Sequence, residues 1–124
     1  MRLQAFMAAA AVALFAHKSY AQSADESRYK ELGTCMAYVA VINDLDGKRQ
    51  VEAEAGSALA ALGNEFMFEA SLLGYDDNQA HTYVVEELVR LNMQSREFGA
   101  QAVEAEHGGH CRALMSALKD GDAS

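Results

Sequence analysis

Along this chain apolar residues return at intervals of three and four, the spacing that lines one side of an α-helix. The first such row is Leu32, Cys35, Met36, Val39 and Ile42. It follows the polar run Ser23 to Ser27, where Asp25 is best placed to cap a helix, and it gives way to Asp46-Gly47, a turn signal containing a residue tolerant of positive φ. A helix over about residues 25–45 is therefore expected, with Cys35 on its buried side. A second row runs Val51, Ala55, Ala58, Leu59, Leu62, Phe66, Ala70 and Leu73, closed by Gly74, and predicts a helix over 48–73. Gly56 and Gly63 interrupt it at about 1 kcal/mol each relative to alanine, so each needs a reason. Close approach of a neighbouring helix is the favoured one, and a bend is the alternative.

Tyr75-Asp76-Asp77-Asn78 then supplies a turn and capping residues before a third row, Ala80, Val84, Leu88, Leu91, Ser95, Phe98 and Ala102, which predicts a helix over 78–106. Glu86 and Arg90, four apart, are expected to pair on its surface. Gly108-Gly109 reads as the turn that ends it, and Cys111, Leu114, Met115 and Leu118 give a short fourth helix over 110–119. The absence of proline from the whole sequence favours helix throughout. Short connections make successive helices antiparallel. The expected fold is all-α: a small antiparallel helical bundle of three longer helices plus a short C-terminal helix, in one domain over 22–124.

The first 21 residues are set apart by Arg2, an unbroken apolar run from Ala5 to Ala16, and small residues at Ser19 and Ala21, which together read as a secretory signal. The run is too short to cross a hydrocarbon layer about 30 Å thick, so no stable membrane insertion is expected after cleavage. An alanine-rich signal points to a bacterium, and to a periplasmic or secreted protein. Removing the signal takes Arg2 and Lys18 with it and leaves eight cationic against 18 acidic side chains, a formal charge of −10. With so few and such scattered cations no nucleic acid is expected as a partner, since a phosphate backbone needs clustered Lys and Arg. An acidic surface reads first as one that keeps the protein soluble and resists association, and a basic protein partner is the sharper alternative.

Two cysteines in an exported chain pair in its oxidising compartment, so Cys35 is expected to bond Cys111 and to staple the last helix to the first. Helix lengths constrain that bond. Cys35 lies about 15 Å below the end of the first helix at 1.5 Å per residue, whereas a straight third helix carries Cys111 near or above that end. The Cα atoms of a disulfide must lie within about 7 Å, so something has to give. A break at Gly99, a lower-lying second helix or an obliquely crossing last helix would each suffice, and the first and last are favoured.

Chemistry is sparse. Within Glu106-His107-Gly108-Gly109-His110-Cys111 three residue types that ligate metals fall in six positions, so His107 and His110, with His81 as a more distant third, are the candidate zinc or copper ligands. The expected disulfide removes Cys111 from that set, and the two glycines read more simply as a turn. Haem is a weaker alternative: the chain lacks two cysteines followed by His for covalent attachment, leaving Met36, Met67, Met93 or Met115 with His81 or His110 as a non-covalent pair. Glu52 with Glu54, Asp76-Asp77 and Glu86-Glu87 are polar or capping acids without the pocket that separates catalytic pKa values. Asp44-Leu45-Asp46-Gly47 lacks the remaining ligands of a calcium loop. No nucleophile elbow, P-loop or dinucleotide fingerprint occurs, so no catalytic residue is assigned. Tyr38, Phe68 and Tyr83 fall off the apolar rows and mark either a second buried face or a partner surface. The sequence thus predicts an exported, non-enzymatic accessory or interaction protein, of the kind an inhibitor or immunity protein represents. A periplasmic metal- or haem-binding protein is the alternative.

Overall fold

The computed structural model describes residues 26–43 and 53–123, and every regular element among them is helical. The segment read as a secretory signal, the expected Asp25 cap, the expected Asp46-Gly47 turn and the calcium-like residues around it lie outside the described residues. Helix α1 covers 26–42, α2 is Ala53–Leu72 and α3 is Asp77–Phe98. After Gly99 come α4, Ala100–Val103, a π-helical turn over Glu104–Gly108, and α5, Gly109–Ala123, as one uninterrupted helical rod.

Helices α1 and α2 pack antiparallel. Near the start of α1, Arg28 reaches Glu65 and the buried Glu69, and Tyr29 stacks on Phe66 at 4.6 Å; farther along, Met36 passes over Gly63. A Cβ at Gly63 would meet only that Met36 methyl, at an ordinary 3.7 Å, so the close helix approach expected there is not what requires this glycine. The connection from α2 to α3 is tight because Gly74 adopts φ 77° and Asp76 caps α3 through a reciprocal pair of bonds with Gln79, 2.8 and 2.9 Å long. Helix α3 then runs parallel to α1: the Tyr83 hydroxyl lies 3.3 Å from the Lys30 carbonyl, and the Thr34 hydroxyl donates to Glu87 at 2.6 Å.

At Gly99 the chain reverses. Its φ of 91° and ψ of 157° belong to a region that only glycine enters freely. The Gly99 amide still donates to the Ser95 carbonyl, while its own carbonyl starts the next helix by accepting from Ala102. Beyond the corner the rod comes back alongside α3, where Gln94 donates to Glu106 at 2.6 Å. Cys111 lies as many residues after Gly99 as Glu87 lies before it, and both arrive at the same part of α1. Thr34 bonds Glu87 and the adjacent Cys35 bonds Cys111, with Cα atoms 5.4 Å apart. The corner is what lets the clasp close.

Four local expectations are corrected. The third helix stops at Phe98 rather than 106, and Gly108-Gly109 is no turn: both glycines lie within the rod, Gly109 at an ordinary helical φ of −61°. Gly108 is buried, and a Cβ there would collide with the folded-back Glu104 carboxylate, so its missing side chain makes room for that group. Phe98, placed in the core by its spacing, is exposed because it is the last residue before the corner. Arg90 pairs with Glu87 at 2.7 Å instead of Glu86, since Glu87 is fixed from the other side by α1.

The core collects Leu32, Cys35 and Val39 from α1, Leu62, Phe66 and Ala70 from α2, Ala80 and Leu91 from α3, then Val103, Cys111 and Leu114 from the rod. All of these but Val103 belong to the rows read from the sequence; Val103 replaces Ala102 because the corner at Gly99 resets which side of the chain faces inward. Tyr29 centres an aromatic cluster with Phe66, Tyr75 and Tyr83, with ring centroids 4.6 to 5.3 Å from its own. Gly33 belongs to this cluster too, because a Cβ there would come within 2.6 Å of the Tyr83 ring.

Candidate functional site

Cys35 and Cys111 sit on the apolar side of their helices for the same reason as their leucine neighbours, and both are buried. Directly over their bond α1 and the rod diverge, leaving an open cleft of about 480 Å³ lined by Glu26, Ser27, Lys30, Glu31 and Thr34 on one side and His107 and His110 on the other. Helical spacing puts the two histidines three apart on the same side of the rod. His110 is exposed with its Nε2 3.8 Å from Glu31, and His107 is largely enclosed with its Nε2 3.6 Å from Glu106. The His107 Nε2 is buried without a hydrogen-bond partner.

The structure therefore unites two of the three predicted histidines and adds Glu31, which sequence reasoning missed because it comes from a helix far away in the chain. His81 does not join them: it is exposed on α3 and does not line the cleft. Among the described residues no group of three or more His, Cys, Asp or Glu is placed to hold a metal ion.

Two polar networks flank the clasp. In the first, Glu87 accepts from Thr34, Tyr83 and Arg90. The Arg90 guanidinium, with help from both hydroxyls, holds its carboxyl down to about 2, against the opposing effect of burial. In the second, the Tyr38 hydroxyl donates to Glu104 at 2.5 Å and Arg112 closes a triangle on the same carboxylate. Burial, then the bond to Glu104, pushes the Tyr38 phenol up to about 12. The π-helical turn inserts its extra backbone between Glu104 and Arg112, a placement such turns often take where side chains must be re-aimed. No sequence signal marks a π-turn, so this triangle was not legible beforehand. Each network joins α1 to a later helix, and chemically both are anchors: their carboxylates are already saturated by donors.

No known family, characterised protein or solved structure matches this chain.

The three off-row aromatics separate. Tyr38 is only 4% exposed and Tyr83 belongs to the aromatic cluster, so both form a second buried face rather than a partner surface. Phe68 is 58% exposed, beside exposed Met67 and with Leu72 one helical turn farther along α2. Other exposed apolar residues form a row on α3, Val85, Val89 and Met93, each four after the last. The sequence does carry this second row, on the side of α3 opposite Ala80 and Leu91, but the longer row through Ala80 and Leu91 masks it. Among the described residues no helix is long and apolar enough to cross a membrane.

Proposed function

We propose that this protein is an exported, non-enzymatic interaction module that binds a basic protein partner, as an inhibitor or immunity protein would, through the face of α2 around Phe68. The observation that carries the reading is the group Met67, Phe68 and Leu72, left in solvent on α2 within one turn and a half of helix. Large apolar side chains grouped on one turn of helix expose surface whose burial a partner would gain from. The acidic Asp76 and Asp77 follow just beyond Leu72, and the chain carries 18 acidic against 10 basic residues, so the matching partner is cationic. Anchored networks and a disulfide hold the scaffold rigid, which lowers the ordering cost of binding. The apolar secretory segment and the paired cysteines support export to the periplasm or beyond.

The test is capture of a basic protein from periplasmic extract at low salt by immobilised protein, set against a Phe68→Asp/Leu72→Asp double variant with an unchanged circular dichroism spectrum. A basic protein held by the parent and lost by the variant supports the reading. Capture of nothing, or equal capture by both, contradicts it.

A second reading keeps the cleft over the disulfide as a weak two-histidine zinc or copper site served by His107 and His110, on the strength of the unpartnered His107 Nε2. Metal content and a visible spectrum of the purified protein decide it: a colourless protein without affinity for added zinc or copper ends this reading and its haem variant together.

A further inference from the structure

We infer that opening the Cys35–Cys111 disulfide turns the floor of the cleft into a zinc site, held by both thiolates and His107, so that the chain takes zinc when reduced and not when oxidised. This needs neither the α2 face nor a protein partner, and it differs from the two-histidine reading in requiring the disulfide to be open. In the oxidised protein no group of three or more His, Cys, Asp or Glu among the described residues is placed to hold an ion. Reduction supplies the missing ligands, because Cys35, Cys111 and His107 all line the one cleft.

Helical spacing and the clasp bring the three together. His107 and Cys111 are four residues apart in the rod, which sets their side chains one turn from each other on the same side. Cys35 meets Cys111 from α1 with its Cα 5.4 Å away, near enough for two thiolates to share one zinc ion at about 2.3 Å each. Both cysteines are only 1% exposed, and two buried thiolates side by side require a cation to neutralise them. The His107 imidazole is otherwise unengaged: its Nε2 is buried without a hydrogen-bond partner. The Glu106 carboxylate stands 3.6 Å from that nitrogen, placed to accept the N–H of a ring whose other nitrogen ligates. The fourth position faces the open mouth, where the His110 Nε2 lies 3.8 Å from Glu31 and Lys30 is paired with Glu26 at 3.3 Å. The electrons come from a dithiol reductant, which is oxidised to its own disulfide while its two protons pass to the Cys35 and Cys111 sulfurs. Zinc then displaces both protons as two Zn–S bonds form.

The test uses protein produced from the full 124-residue sequence, reduced with a phosphine, freed of reductant without air, and titrated with zinc against a chromophoric chelator. The reduced protein is expected to bind one zinc per chain about a hundredfold or more tighter than the oxidised protein, and to be helical by circular dichroism when loaded. Cobalt(II) in place of zinc is expected to give the near-ultraviolet thiolate-to-cobalt absorption that a histidine site lacks. His107→Ala is expected to weaken zinc by about tenfold or more, whereas His81→Ala, on α3 and away from the cleft, leaves it unchanged. A reduced chain that binds no zinc, or gives no thiolate absorption with cobalt, overturns the inference. Equal affinity in the two redox states would place the ion on the two histidines and overturn it as well. So would binding that is indifferent to His107→Ala or that leaves the loaded chain without helix, since either outcome means chelation by thiols outside the folded cleft.

Discussion

Glu87 illustrates how one side chain can tie two helices together. It accepts hydrogen bonds from Thr34 on α1 and from Tyr83 and Arg90 on its own helix, and those donors hold its carboxyl well below its ordinary 4.5, at about 2. A carboxyl whose folded pKa is depressed contributes stability above its unfolded value and loses that contribution as pH falls through the folded one. Glu87 therefore stabilises the fold fully above about pH 4.5, and the contribution drains away between there and about pH 2. Chemical denaturation of Glu87→Gln across this window is expected to show a shallower pH dependence than the parent; an identical slope would mean that Glu87 is not the group responsible. The pairing was only half legible in the sequence. Glu86 and Glu87 are equivalent candidates for Arg90 by spacing, and what decides between them is Thr34, brought alongside by tertiary packing. Gly33 was illegible in the same way, since its lack of a side chain matters only because the Tyr83 ring lies on it.

Among the elements, the corner at Gly99 does the most to shape the molecule. The apolar period continues through it, from Leu91 and Ser95 to Ala102, so spacing alone reads one long helix. Only the distance requirement of the cysteine pair exposed the conflict, and a break at Gly99 was among its possible resolutions. The opposite error occurred at Gly108-Gly109, where two glycines read as a turn but serve as room for Glu104 inside a continuous helix. Glycine announces that something unusual happens to the backbone or its surroundings, and burial decides which. Because Gly99 sits at φ 91° and ψ 157°, Gly99→Ala is expected to cost about 1–3 kcal/mol in a urea melt. Gly109, at helical angles and with open space around it, is expected to accept alanine at no cost or with a small gain of up to about 1 kcal/mol. Equal effects at the two sites would refute the assignment of the corner to Gly99.

At the scale of the whole molecule, the all-α fold and the core rows were legible because burial follows helical period directly. The surfaces were not, because an off-row aromatic looks the same whether a second helix covers it, as with Tyr38 and Tyr83, or none does, as with Phe68. The disulfide joins residues 76 apart and thus restrains nearly the whole described chain. By chain entropy such a closure is worth about 4 kcal/mol, and reduction is expected to lower stability by an amount of that order. The clasp fixes the rod against α1, and with it the path of the chain through the Gly99 corner. The most direct measurement is a peptide map of the purified protein under non-reducing conditions, with thiols blocked before digestion. The account predicts one linked species joining the Cys35 and Cys111 peptides of a single chain and no blocked thiol; two blocked cysteines, or linkage only between separate chains, would contradict it.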